Sequence, residues 1–431
     1  MMAEVTRPTT QNYLEQAHTA IAALSDCLPW HQEDRRQSLA NLSRLGLPLS
    51  RNEFWKYSRL RNFLPPLSEP EGEAGSLPGS QSADLQAPDL EAPAINTQGG
   101  CHIGVRGHEI EAVNLPDGLV IETFSENNKG IIGQHLNRGI DTSRYPLALL
   151  NDALLQNGIL IRVLKGAHID VPVVLSIAPS PGSPLWEASR LMILMEPDSQ
   201  LTLIEQQTEY PHWLNRVREC SLAESSLLNF SLIQPPHNSS YWNLTTTHLH
   251  DRAILNMHLA GFGGRFQRNE VNLKLAGEQA YATLHCVLHG QGKERIDTQV
   301  NMEHMAIDTT SRQQVRSMAA ERSEISFNGR IHIHKGAQGT DARLSNANLL
   351  LNDGARINTK PELEIYADDV QCAHGATVGQ LDQNQIFYLR SRGLSDAEAR
   401  KLLSLAFMRS SMQDNTLQTL VEKLLERRRT G

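Results

Sequence analysis

The sequence predicts a mainly β chain, with stacked coils of a parallel β-helix flanked by helical domains at both ends. Three observations predict it. Short strand-like runs follow one another without helices of βαβ length between them: "ILIRVL", "VPVVLSIA", "SRLMILME", "SQLTLIEQQ", "SSLLNFSLIQ", "YWNLTTTHLH", "AILNMHLAGF", "EVNLKLAG" and "ATLHCVLHG". Many alternate apolar and polar residues, the mark of a half-buried strand, and the missing helices argue against a doubly wound sheet. Glycines at 336, 354 and 375 are spaced by 18 and 21 residues, which suggests units of roughly twenty residues that bury a core only by stacking. Both ends of the chain switch to a helical period.

The first segment, residues 1–67, reads as a helical domain. Tyr13, Ala17, Ala20, Ile21 and Leu24 recur at three- and four-residue steps, and a second run through Leu39, Leu42 and Leu45 stops at Gly46, a C-cap residue. Residues 68–100, "SEPEGEAGSLPGSQSADLQAPDLEAPAINTQGG", are rich in Pro, Gly, Ser and acids and read as a flexible linker. Residues 101–157 form a lead-in containing one helix, Tyr145–Gln156, stopped by Gly158. The β-helix core is assigned to 158–384 and a C-terminal helical domain to 385–431. There Ser395 and Glu398 fit a capping box, Leu402, Leu403 and Phe407 make an apolar stripe, and Leu417, Leu420, Val421, Leu424 and Leu425 mark a second helix.

Composition excludes several classes. The 431 residues carry a net charge of −8 without a basic face, which disfavours nucleic acid. The run Arg427-Arg428-Arg429 reads as a solvated helix end. Five scattered cysteines form no C-x-x-C pair, so neither a disulfide framework nor a zinc knuckle is expected. No apolar leader follows the N-terminus and no apolar run approaches the ~18 residues of a membrane span. A cytoplasmic protein without membrane attachment is expected. "GQGKE" from Gly290 and "GFGGRF" from Gly261 fail the nucleotide-loop patterns, so any ATP would be handled by another chain.

The chemistry-bearing candidate is "VQCAHGATVG", where Cys372 and His374 share a strand face. Three readings are open. A thiol–imidazole catalytic pair lacks a third orienting residue. A metal or cluster site would have two ligands suited to iron but too few to close, so a partner chain would complete it. The third reading is a packed thiol beside a backbone-bonded histidine. His332 and His334 also share a face, roughly 7 Å apart on a strand, as do His248 and His250; both pairs read as solvated ring edges. His285, Cys286 and His289 are loosely clustered. A polysaccharide-active β-helix enzyme would want clustered acids on one face, but Asp368 and Asp369 are adjacent and point to opposite faces.

The segment from Ser326 to Phe407 resembles the SufB/SufD family of iron–sulfur cluster assembly proteins. The resemblance is carried by Phe327-Asn328-Gly329, Asn346 to Leu351, Thr359-Lys360-Pro361, Ala367-Asp368-Asp369-Val370, Cys372-x-His374-Gly375-Ala376-Thr377-Val378-Gly379 and Tyr388-Leu389-x-Ser391-Arg392-Gly393. "LNDALLQNGILIRVLKGAHIDVPVVL" and "NEFWKYSRL" extend it upstream, and Gly375, where SufB-like sequences tend to carry a glutamate, places it on the SufD-like branch. The resemblance implies a right-handed parallel β-helix between N- and C-terminal helical domains. It implies a heterodimer with a SufB-like subunit through the end of the β-helix, and a SufC-like ATPase held by the C-terminal helices, through the stripe of Leu394, Leu402, Leu403 and Phe407. His374 is implied as a ligand or positioner of iron or a nascent cluster shared with the SufB-like partner, with Cys372 beside it. No cofactor would be held stably by the chain alone, which would be a scaffold component and not an enzyme. A homodimer in isolation is the alternative.

Overall fold

The computed structural model of the chain describes residues 10–47, 53–58, 99–112, 115–179, 186–411 and 415–426. The stretch read as a linker, up to residue 98, and the Arg427–Arg429 run lie outside the described residues.

The N-terminal helices are α1 (Thr10–Ala23) and α2 (Gln32–Leu45), with single 3-10 turns at Pro29–His31 and Glu53–Trp55. Gly46 ends α2 at φ +78, its N–H reaching back to the Leu42 carbonyl. Three strands follow, β1 (Cys101–Arg106), β2 (Glu109–Ala112) and β3 (Leu119–Thr123), then α3 (Lys129–His135) and α4 (Pro146–Ala153). The long run is β4 (Asn157–Val163), β5 (Val173–Ala178), β6 (Trp186–Met195), β7 (Gln200–Gln207), β8 (Trp213–Leu222), β9 (Leu227–Gln234), β10 (Ser240–Leu249), β11 (Ile254–Gly261), β12 (Phe266–Leu275), β13 (Tyr281–Gly290), β14 (Arg295–His304), β15 (Thr310–Ala319), β16 (Glu324–Ile333), β17 (Thr340–Leu350), β18 (Arg356–Ile365) and β19 (Val370–Gln380). The chain closes with α5 (Gln383–Ser391), α6 (Asp396–Arg409) and α7 (Asn415–Glu426).

From β4 onward successive strands alternate between two sheets, and each pairs in parallel with the strand two places on. One sheet runs β19-β17-β15-β13-β11-β9-β7-β5-β1-β2, the other β18-β16-β14-β12-β10-β8-β6-β4-β3. This is a parallel β-solenoid of about 8 turns, with helices at both ends of the chain, as the sequence predicts. Strands β1 to β3 extend both sheets from within the segment read as a lead-in, and α3 was not expected.

The twenty-residue unit is corrected. Partners in adjacent coils are 26 residues apart where Ser240 faces Phe266 and 32 apart where Glu324 faces Arg356. Each coil spends two strands and two turns, and the glycines that suggested the shorter unit are not equivalent, since Gly375 lies inside β19. The true period is marked by left-handed turn residues that are mostly not glycine: Asp198, Ser225, Arg252, Gln279, Asp308 and Gly339. Each donates its N–H to the next coil's turn, as in Arg252 to the Glu278 carbonyl and Asp308 to the Gln338 carbonyl. These bonds offset the roughly 1–2 kcal/mol that a side chain costs in that region.

Leu201, Leu203, Leu228, Phe230, Leu255, Leu273, Ile325 and Ile331 belong to the continuous apolar core between the sheets. A second core, with Tyr13, Leu39, Leu42, Trp55, Trp213 and Trp242, seats the N-terminal helices and α4 on one sheet. A third, with Ile204, Ile233, Phe262, Val287 and Met318 against Met408, Val421, Leu424 and Leu425, seats α6 and α7 on the other. One lane of the interior is polar. By alternation with Leu201 and Leu203, Glu205 faces inward, and Arg216 and Arg218 do so with Cys220 and Leu222. Arg218 donates to Glu205 at 2.6 Å, to Tyr241 at 2.9 Å and to Asn243 at 3.2 Å, while Arg216 donates to Gln207 at 2.6 Å. Burial alone would raise the Glu205 carboxyl, but Arg218 and Arg216 hold it below its ordinary value. Such buried charges persist only when fully bonded.

Candidate functional site at the open end of the β-helix

In a solenoid, an inward-facing residue is buried by the coil beyond it. Among the described residues β19 pairs only with β17, and β18 only with β16, so both sheets end there on a free edge. The register places Cys372, His374, Ala376 and Val378 over Ala342, Leu344, Asn346 and Asn348. The lower four are buried; of the upper four, Cys372 is half-buried and the others are exposed. The alternation that reads as a buried strand face is therefore, in the last coil, an open mouth. Tyr366 is 61% exposed and Val378 46%, with Ile365 also exposed. Pro361, which cannot donate to a ladder, sits in edge strand β18, where it is tolerated.

Cys372 and His374 thus lie on one face, as the sequence indicates, but among the described residues no third His, Cys, Asp or Glu joins them as a donor group. Burial, and then the Asp341 carboxylate, push the Cys372 thiol above its ordinary pKa. It is a poor thiolate unless a metal displaces its proton. His374 is the accessible donor.

The other candidates separate. His285 faces outward, its Nδ1 2.5 Å from the Ser411 carbonyl oxygen and its ring stacked on His258, whereas Cys286 faces the interior and burial pushes its thiol up. His285 and Cys286 therefore lie on opposite faces of β13. His248 is largely covered, and burial, then Lys274, lower it to about 4; with His250 it lines a cavity beside Cys220 and Glu219. The solvated reading of His332 and His334 is corrected. Both are half-buried, with rings stacked at 4.1 Å, and Glu303 of the adjacent coil joins them. Glu303 is 29 residues upstream of His332, one coil away, so no local motif reveals it.

The C-terminal helices begin where β19 ends. Asp382 caps α5 through the Asn384 N–H, and the Ser395–Glu398 capping box opens α6. The expected stripe does not share one environment. Phe407 packs toward the third core, Leu394 and Leu403 are half-exposed, and Leu402 is 48% exposed. Phe387, 73% exposed, and Tyr388, 57% exposed, stand on α5; the sequence reading names Tyr388 only within a resemblance motif and assigns neither residue to a docking surface. They carry no helical stripe, and their exposure follows from a tertiary fact: no described residue forms a layer over that face of α5.

The comparisons with known proteins agree over almost the whole length. The family described as "SUF system FeS cluster assembly, SufBD core domain" matches residues 181–407, and "SufBD protein N-terminal region" matches residues 8–175. The chain belongs to the SufB/SufD family. Among its SufB/SufD relatives, the iron–sulfur cluster assembly protein SufD of Escherichia coli (strain K12) is 26% identical, the alignment covering 93% of this chain and 92% of that protein. A SufBD family iron–sulfur cluster assembly protein of Synechocystis sp. is 25% identical over 91% of this chain and 89% of its own. The SufB protein of Bacillus subtilis (strain 168) is 24% identical over 69% of this chain and 65% of its own. The SufB/SufD core match contains the open coil, α5 and most of α6, and stops before α7. Among the described residues no helix is long and apolar enough to cross a membrane.

Proposed function

We propose that this chain is the SufD-like arm of a cytoplasmic iron–sulfur cluster assembly scaffold, and that its open coil is where a SufB-like subunit docks. The observation that carries the reading is the pair of free edges at β18 and β19 with an accessible His374 between exposed apolar residues. Free edges are templates for strand addition, and a partner coil laid against them would cover Val378 and Tyr366. His374 then becomes an interfacial imidazole, able to hold or position iron or a nascent cluster as cargo, with thiolate supplied by the partner. Cys372, whose proton is held more tightly, is the weaker donor. The chain is a non-catalytic component in this reading. A SufC-like ATPase docks on the C-terminal helices through Leu402 with Leu394 and Leu403 at its margin, while Phe407 fixes α6 to the sheet.

The test is anaerobic co-expression with SufB-like and SufC-like partners, for wild type and His374→Ala. A complex that assembles normally but loses iron, sulfide and visible absorbance supports the shared site. Unchanged cluster content overturns the role of His374 and leaves the chain a structural arm.

A further inference from the structure

The outer face of the sheet that holds β10, β12, β14, β16 and β18 carries a column of ionisable residues in register. His248 faces Lys274, Lys274 faces Glu303, Glu303 faces His332, and His332 faces Glu364. Lys274 is turned away to donate to the Gly139 carbonyl at 3.0 Å. Glu364 is taken by a two-point contact from Arg330, at 2.7 and 2.5 Å. What remains at the centre is Glu303 with His332, and His334 lies on the same face as His332.

We infer that Glu303, His332 and His334 form a binding site for a first-row divalent transition metal. One donor atom from each lies within 4.8 Å of the other two, and His334 Nε2 is 3.4 Å from Glu303 Oε2. Donors around such an ion at about 2.0–2.1 Å sit roughly 3.3–3.5 Å apart, so small side-chain rotations on fixed strands close the set. Two imidazoles and one carboxylate suit iron(II), zinc, cobalt(II) or nickel and leave positions open for water. They do not suit calcium or magnesium, which want oxygen ligands only. Asn301 donates to the other Glu303 oxygen at 2.6 Å and so orients the carboxylate, as outer partners do at metal sites. Arg330 donates to His332 Nδ1 at 2.9 Å. A metal at that nitrogen releases this contact, and Arg330 keeps Glu364 and Asn301. Burial, then His334 and Arg330, lower the His332 pKa, which favours the neutral ring a metal needs. The site itself stands apart from the proposed function. Only the naming of iron(II), among these metals, as its occupant in the cell would rest on that reading.

The experiment uses the full isolated chain, stripped of metal and titrated with cobalt(II), whose visible absorption reports coordination. Wild type is expected to bind one cobalt with a ligand-field band. Glu303→Gln and the double variant His332→Asn/His334→Asn are expected to weaken binding at least about tenfold, the lower end of what even an outer partner is worth. Cys372→Ala/His374→Ala is expected to bind as wild type. Circular dichroism checks each fold, and Glu303→Gln serves if the double variant misfolds. Absence of binding by wild type, undiminished binding by the site variants, or loss of binding in Cys372→Ala/His374→Ala overturns the inference. Because no partner is present, failure here is separable from failure of the shared cluster site.

Discussion

Leu344 and His374 occupy the same register position in adjacent coils, yet Leu344 is 3% exposed and His374 lies open to solvent. The difference is only that one has a coil above it. Removing the His374 ring therefore removes little packing. His374→Ala is expected to change the stability of the isolated chain by less than about 0.5 kcal/mol, measured by urea unfolding, while emptying the co-expressed complex of cluster. A loss well above that figure would mean that the ring is structural.

A charge on the free edge should block pairing without harming the chain. Val378→Lys, at an exposed position of β19, is expected to abolish co-purification with a SufB-like subunit and to reduce any self-association, as read by light scattering. Lysine on an edge strand is a common guard against pairing. Undiminished heterodimer formation would remove the edge from the interface.

The two faces of α6 should respond oppositely. Met408 is 1% exposed in the third core, and Met408→Ala is expected to cost about 2–5 kcal/mol. Leu402→Glu is expected to leave the unfolding midpoint unchanged and to weaken retention of a SufC-like ATPase. Normal retention would assign the dock elsewhere.

His304 is buried, its ring nitrogens 2.8 Å from the Thr309 hydroxyl and 2.9 Å from that of Ser311. Burial, then Arg312, lower its pKa from 6.5 to about 3. The unfolded chain then binds the proton first, so stability falls as pH drops through 6.5 toward 3. Between pH 7 and pH 5 this residue alone accounts for about 2 kcal/mol. His304→Gln is expected to flatten that part of the profile; an unaltered slope would refute the assignment.

Gly277 sits against the backbone of the preceding coil, where a Cβ would lie 2.0 Å from the Asp251 nitrogen. Gly277→Ala is expected to destabilise by more than about 2 kcal/mol, seen as a lowered melting temperature.

The β-helix was legible because alternation repeats strand after strand, and α2, α4 and the α6 capping box were legible because their signals are local. The coil length was not, because turns closed by Asp198, Ser225, Arg252 and Gln279 are held left-handed by bonds between coils, not by glycine. Residue type and spacing singled out Cys372 and His374, and the resemblance supplied the role proposed for them. Glu303 was invisible because its relation to His332 exists only in register, one coil apart.

The stacked architecture also gives the molecule a direction. A coil is held by its neighbours, and the coil of β18 and β19 has a neighbour on one side only. Fraying of a linear array starts at its least supported unit, so amide exchange should be fastest at β18 and β19 and slow progressively toward β12, beneath the N-terminal helices. Docking a partner on the mouth would then do more than join two chains. It would convert a loose terminus into an interior rung, and the order gained there would be transmitted rung by rung along the stack.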